Sequence, residues 1–405
     1  MLTYLLDWAG LLLRWLHLIA GIAWIGASFY FVWLDNHLQP LDALEPADPN
    51  VAGELWAVHG GGFYRSRKYR IAPPVLPATL HWFYWEAYTT WLSGFLLLCL
   101  LYFWQAQAYL IDPAVLPLTK VAAVGIALAA LPVSWLVYDA LCRSPLGRSP
   151  RALAAVLATL IAVEAWGLTQ MFSGRGAFML FGAALGTIMV ANVLFVIIPG
   201  QRELVLAKQQ GREPDAGPGL KGKQRSIHNT YFTLPVLFVM ISNHYAVTYG
   251  ARRNWLVLIA MSFAGACIRA WFVARHKPGQ RRGYAAAAPA VLGVLTLGAL
   301  VIALAPPRNV RRSDARAAPP AVDVQRVQAI LGERCVPCHA ANPTQPGFSA
   351  PPNGIVLQNA DQVRAHLPQI EQQLAMRAMP LGNLTGMTDD ERAIVLMWIG
   401  HGAQP

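Results

Sequence analysis

Charge is what this sequence has least of. Only 13% of its 405 residues are Asp, Glu, Lys or Arg, against about 25% in ordinary globular domains, and the mean hydropathy is +0.38. That composition excludes a chain wetted on all sides and points to a membrane protein. Acid is scarcer than base, with 21 Asp and Glu against 32 Lys and Arg and a formal net charge of +11. The surplus does not imply nucleic acid. Its basic residues cluster in short connections between apolar runs, as the positive-inside rule expects. Cysteine is scarce too. Of the five, Cys99, Cys142 and Cys267 sit singly in or beside apolar segments, which reads as packing and leaves no disulfide framework. The first apolar stretch is too long for a cleavable leader and lacks a small-residue cleavage site, so it is expected to span.

Long apolar runs are what the chain has in abundance. Eight segments are long enough to cross a bilayer, at 8–34, 80–104, 121–141, 152–171, 177–199, 227–245, 255–273 and 285–305. Trp and Tyr stand at their ends, as interfacial belts do. Gly182-x-x-x-Gly186 in the fifth permits close helix contact. The expected fold is all-α: an eight-span transmembrane bundle over 1–305, a Pro-, Ala- and Arg-rich linker at 306–320, and a small C-terminal domain over 321–405.

That last domain carries Cys335-Val336-Pro337-Cys338-His339. C-x-x-C-H is the attachment pattern of a c-type haem: both thiols reach one edge of the macrocycle, and the adjacent His ligates the iron. A zinc knuckle needs a second ligand pair nearby, and no further Cys follows. A thioredoxin-like pair needs a βαβ context, which is missing. One covalent haem c is therefore expected, making this a cytochrome c domain. Met379, followed by Pro380, is the favoured second axial ligand, with Met376 and Met387 as rivals. Two helices should frame the site. One covers 322–331 on an apolar face of Val324, Val327 and Leu331. The other opens at a capping box, Thr388 to Glu391, and runs through Ile394, Val395, Trp398 and Ile399.

Haem is attached to c-type cytochromes outside the cytoplasmic membrane, which places the C-terminal domain in the periplasm of a bacterium. Eight spans return the N-terminus to that side. The basic residues agree. Arg65, Arg67, Lys68 and Arg70 share one inner connection, and Arg202, Lys208, Arg212, Lys221, Lys223 and Arg225 another. The outer connections between spans hold only Lys120, Arg175, Arg252 and Arg253; Arg308, Arg311, Arg312 and Arg316 after the last span go the other way but precede a translocated domain and weigh less. The expected location is the inner membrane, multi-pass.

Ionisable residues inside spans are costly unless paired or functional. Arg14, His17, Gly21, Trp24 and Ser28 fall at helical spacing on one face of the first span. His17 there either ligates a b-type haem lying against the helix or bonds a neighbouring helix. Trp82, Glu86 and Ser93 share one face of the second span, and His81, Trp85 and Tyr88 the next. Glu164, Asn192, His228, Asn229, Asn243 and His244 add further polar points. In the connection 35–79, His59-Gly60-Gly61-Gly62 is either a flexible spacer or a loop that lets backbone approach a ligand.

Three stretches, Trp15-Leu-His-Leu-Ile-Ala-Gly-Ile-Ala-Trp-Ile-Gly26, His59-Gly-Gly-Gly-Phe-Tyr64 and Leu80-His-Trp-Phe-Tyr-Trp-Glu-Ala-Tyr-Thr-Thr-Trp91, precede the C-terminal cytochrome motif. In this combination the chain resembles the bacterial membrane-bound urate hydroxylase family over essentially its whole length. The resemblance implies purine catabolism: oxidation of urate to 5-hydroxyisourate, with electrons passed to the cytochrome and on to a downstream respiratory acceptor, a soluble cytochrome or terminal oxidase. On residue type and expected side, Glu86, His81 and His59 are the candidate proton acceptors. Trp82, Trp85 and Phe63 are candidates to stack on the purine, and Arg65 or Arg70 to pair with the anion. Rival readings are a non-catalytic, membrane-anchored electron-transfer cytochrome and a transporter with a redox-sensing tail. A substrate handled on the inner side would lie a hydrocarbon core of about 30 Å from the outer haem. Either urate enters a deep pocket from the outer side, or a relay sits between. The expected relay is a second, non-covalent haem b on His17, with His244 a loosely matched partner.

Overall fold

The computed structural model of the chain describes residues 1–41, 48–275, 284–305, 323–346, 348 and 350–403. The expected linker at 306–320 lies outside the described residues. Helix α1, Leu2–His37, is followed by a hairpin of strands β1, Val51–His59, and β2, Gly62–Tyr69. Helix α2, Trp85–Leu97, continues through a π-turn at Leu98–Phe103 to the short α3, Ala106–Tyr109. Then come α4, Lys120–Arg143; α5, Pro150–Met171; α6, Gly174–Asn192, which passes through a second π-turn at Val193–Ile197 into α7, Ile198–Gln209; and α8, Ala216–Ser242. A short α9, Ala246–Tyr249, leads to α10, Asn254–Ala274, and α11, Tyr284–Ala303. The C-terminal unit holds α12, Val324–Arg334; α13, Ala360–Ala365; α14, Leu367–Ala375; and α15, Asp389–Gly400.

Every expected span is helical. Among the described residues, six helices are long and apolar enough to cross a membrane: those starting at Tyr4, Trp85, Lys120, Pro150, Gly174 and Asn254. The remaining two are α8, whose first half is polar, and α11, whose apolar part is the short run Ala287–Ala303. Side-chain acceptors set the starts: Thr119, Ser149, Ser173 and Asp215 each accept a bond from the first turn of the helix they precede. The bundle core is filled by α2, α4, α5, α6, α8 and α10, with Phe172, Phe178, Phe181 and Leu185 fully buried. Gly182 is where α6 meets α8, since a Cβ there would fall 2.6 Å from Val239 Cγ1. Gly186 instead faces open space.

Two expectations are corrected. The fold is not wholly α, because the connection after α1 forms an antiparallel hairpin in register from Val51 opposite Tyr69 to His59 opposite Gly62. Its turn is Gly60-Gly61, both at positive φ (58° and 82°), which is what a two-residue turn of the right-handed hairpin twist demands. The glycine run is therefore turn chemistry. Second, the span expected from residue 80 becomes helical only at Trp85. Residues 80–84 are not helical, and Glu86 sits in the first turn of α2.

The C-terminal unit has its own core of Val327, Ile330, Leu331, Leu374, Val395 and Trp398. Helices α12 and α15 pack together. The capping box forms as expected, Thr388 accepting from the Glu391 amide and Glu391 from that of Thr388. Arg334 grips both Glu391 oxygens, Nε to Oε2 at 3.1 Å and Nη2 to Oε1 at 3.0 Å, tying the end of α12 to the start of α15. The unit rests on the bundle through the turn Leu381–Asn383, which packs on α3, and through Met376, which lies against Gly250.

Candidate functional site

The last turn of α12 runs straight into the cysteine motif. The amides of Cys338 and His339 both donate to the Cys335 carbonyl, 3.2 and 2.9 Å, which wraps the motif into one tight turn. Cys335 packs against the core of the unit. Burial pushes its thiol up to about 11 and raises that of Cys338 as well. Among the described residues, no group of three or more His, Cys, Asp or Glu converges as a metal cage. His339 Nδ1 lies 2.9 Å from the Ile355 carbonyl. A carbonyl only accepts, so the proton sits on Nδ1 and Nε2 keeps its lone pair, the arrangement of a histidine ready to ligate. Of the methionines, Met387 is 3% exposed inside the core, whereas Met379 is half-buried at the unit's edge, its carbonyl held by Arg392 Nη1. Two thiols on one tight turn beside an Nε2 lone pair are the kind of donor set that a covalent haem takes.

At the other end of the bundle a cavity of about 710 Å³ opens between α1, the hairpin, the entry to α2 and α8. Trp24, Phe31, Trp82 and Phe83 supply aromatic walls, and Arg67, Lys68, His81, Glu86 and Asn229 supply polar atoms. Of the three candidate proton acceptors, His81 and Glu86 line this cavity and His59 does not; it is exposed at the hairpin tip. The candidate stackers divide as well. Trp82 lines the cavity, while Phe63 and Trp85 are 78% and 65% exposed and do not. Neither candidate anion partner faces it. Arg65 pairs with Glu54 at 2.7 Å over the ring of Trp56, and Arg70 donates to the Pro49 carbonyl. Arg67 and Lys68 take that position, tied to Glu54 at 3.2 Å and Asp35 at 2.6 Å. Arg65 and Arg67 are two apart, share a face of β2 and both reach Glu54, so their place along the strand decides which of them lines the cavity.

Behind the cavity runs a buried polar network that sequence reasoning found only in part. Asn192 donates to Tyr138 Oη at 3.1 Å and to Asn229 Oδ1 at 3.0 Å, and Tyr138 Oη lies 2.7 Å from His228 Nδ1. Asn192, His228 and Asn229 stood out in the sequence. The ion pair beside them, Arg225 Nη2 to Asp139 Oδ1 at 2.6 Å, did not. The signal was an acid and a base near the inner ends of two different expected spans. Arg269 on α10 was also missed. It is 6% exposed, with its guanidinium carbon 3.7 Å from the Phe29 ring centre.

A second cavity of about 460 Å³ is lined by Arg14, His17, Gly94, Gly186, Asn243 and His244 among mostly apolar atoms. Trp24, Ile25, Met189 and Thr233 line both cavities.

Residues 3–302 match the family described as urate oxidase N-terminal. Neither curated proteins nor solved structures give a match to this chain.

Proposed function

Because the chain belongs to the urate oxidase N-terminal family, we propose that it is a membrane-bound oxidoreductase that converts urate to 5-hydroxyisourate, with electrons leaving through its C-terminal domain. The observation that carries this reading is the meeting of His81, Trp82 and Glu86 with Arg67 and Lys68 around one aromatic-walled cavity. Urate is a planar anion. Trp82 and Phe83 provide faces for the ring, and the two cations of β2 attract its charge. Net oxidation removes two electrons and two protons and adds the oxygen of one water. Glu86 and His81 are the groups that take up those protons. A c-type haem held by Cys335 and Cys338, with His339 and Met379 on its iron, would supply the one-electron acceptor. The reading places the protein in the bacterial inner membrane, with the N-terminus and C-terminal unit periplasmic and a respiratory cytochrome or terminal oxidase downstream.

Mixing the purified full-length protein with urate under anaerobic conditions tests it. The absorption bands of reduced haem should appear. In Glu86→Gln they should appear about 10²-fold or more slowly, as loss of a general base dictates, at unchanged haem content. Fully haem-loaded protein that urate fails to reduce would leave the anchored electron-transfer cytochrome as the better reading. A wild-type rate in Glu86→Gln would return that residue to a structural role.

A further inference from the structure

His17 is the one histidine in the interior of α1, and its surroundings are specific. Its Nδ1 lies 2.9 Å from the Thr90 carbonyl and 3.1 Å from Ser93 Oγ. The Ser93 hydroxyl itself points at the carbonyls of Thr89 and Thr90, so toward His17 it accepts. Both partners being acceptors, Nδ1 carries the proton and Nε2 keeps a lone pair, for which no partner occurs among the described residues. The imidazole lies against Gly94, where a Cβ would come within 2.8 Å of Cε1. The second cavity lies beside it. Its opposite wall includes Gly186, where a Cβ would meet nothing within 4 Å. An oriented imidazole with a free Nε2, beside an apolar space kept open by glycine, is how proteins seat a haem; the same tautomer logic holds at His339. Arg14, one turn before His17, also lines the space and can meet a propionate.

We propose that His17 is the axial ligand of a second, non-covalently bound haem in the cavity between α1, α2, α6 and α8. The position suits a relay, a role that rests on the urate reading although the site itself does not. Trp24, shared by both cavities, is seven residues beyond His17, about 10 Å along the helix. In the other direction α2 climbs from Gly94 to Phe103, about 14 Å at the same rise, to reach α3, where the C-terminal unit docks. Two short hops replace one crossing of about 30 Å. Each electron taken up from urate turns ferric iron ferrous, and its loss to the covalent haem restores the ferric state.

Acid–acetone extraction of the full-length protein, followed by a pyridine haemochrome assay on extract and pellet, tests the site without any urate chemistry. Wild type should release one haem per chain and retain one covalently. His17→Gly should lose the extractable haem and keep the covalent one, and added imidazole should restore the lost spectrum. Gly186→Phe fills the space from the opposite helix and should likewise lose only the extractable haem. Because the C-terminal unit has its own core, folding of the bundle is checked separately, by unchanged elution of each variant in detergent and by the imidazole rescue of His17→Gly. Wild type with no extractable haem, or either variant that keeps it, overturns the proposal. Extractable haem that urate cannot reduce leaves the site standing and removes the urate reading, whereas urate oxidation without extractable haem does the reverse.

Discussion

Two methionines of one small unit have different fates, and the difference is burial. Met387 fills the core at 3% exposure beside Val395 and Trp398, so Met387→Ala should cost about 2–5 kcal/mol through the cavity it leaves. It should leave the iron coordination alone. Met379 is half-buried at the edge of the unit. Met379→Ala should cost little stability but shift the oxidised spectrum away from that of low-spin, two-ligand iron. Spectra and thermal melts of both variants check the pair, and a spectral change in Met387→Ala with none in Met379→Ala would exchange their roles.

At the scale of the element, two glycines four residues apart on α6 answer to different neighbours. Gly182 has no room for a Cβ beside Val239, while Gly186 has open space. Gly182→Ala should lower the melting temperature by forcing α6 from α8. Gly186→Ala should be neutral or stabilising by up to about 1 kcal/mol, because alanine is the better helix former. The capping box of α15 carries a pH dependence. The Arg334 guanidinium on Glu391 holds that carboxyl below its ordinary range, and Arg377 does the same for Asp389. The unfolded chain therefore binds protons at higher pH than the folded one. Stability from these carboxylates is complete above the ordinary carboxylate range and is lost as pH falls through the depressed folded values. Limited proteolysis within 323–403 across a pH series should show that loss, and Glu391→Gln should weaken the dependence.

Across the whole molecule, the joint between the C-terminal unit and the bundle depends on backbone approach. A Cβ at Gly250 would fall 1.9 Å from the Met376 carbonyl oxygen, and one at Gly382, held at φ +55°, 2.5 Å from that of Ala108. Gly250→Val should force the unit off its seat and slow urate-dependent reduction at least tenfold. Covalent haem content and the cavity beside the hairpin should not change. Stopped-flow reduction traces, normalised to haem content, check this; an unchanged rate would mean that electrons do not pass at this contact.

Much of this protein follows from its sequence because the governing periods are local. Hydropathy over about twenty residues marks a span wherever it sits, and six of the expected spans are helices long and apolar enough to cross a membrane among the described residues. The capping box at Thr388 is set by residues within one turn and appears as read, and Cys335 to His339 fold into one tight turn. What the tertiary structure decided depends on residues far apart in the chain. The hairpin sets Arg67 and Lys68, and not Arg65 or Arg70, on the cavity, its Gly60-Gly61 turn carries His59 out to its tip, and the late start of α2 leaves Glu86 in the first turn, on the cavity wall. The pairing of Asp139 with Arg225 and the proton on His17 Nδ1 were likewise beyond local reading. Each depends on a partner 73 or more positions away, and only packing brings such partners together.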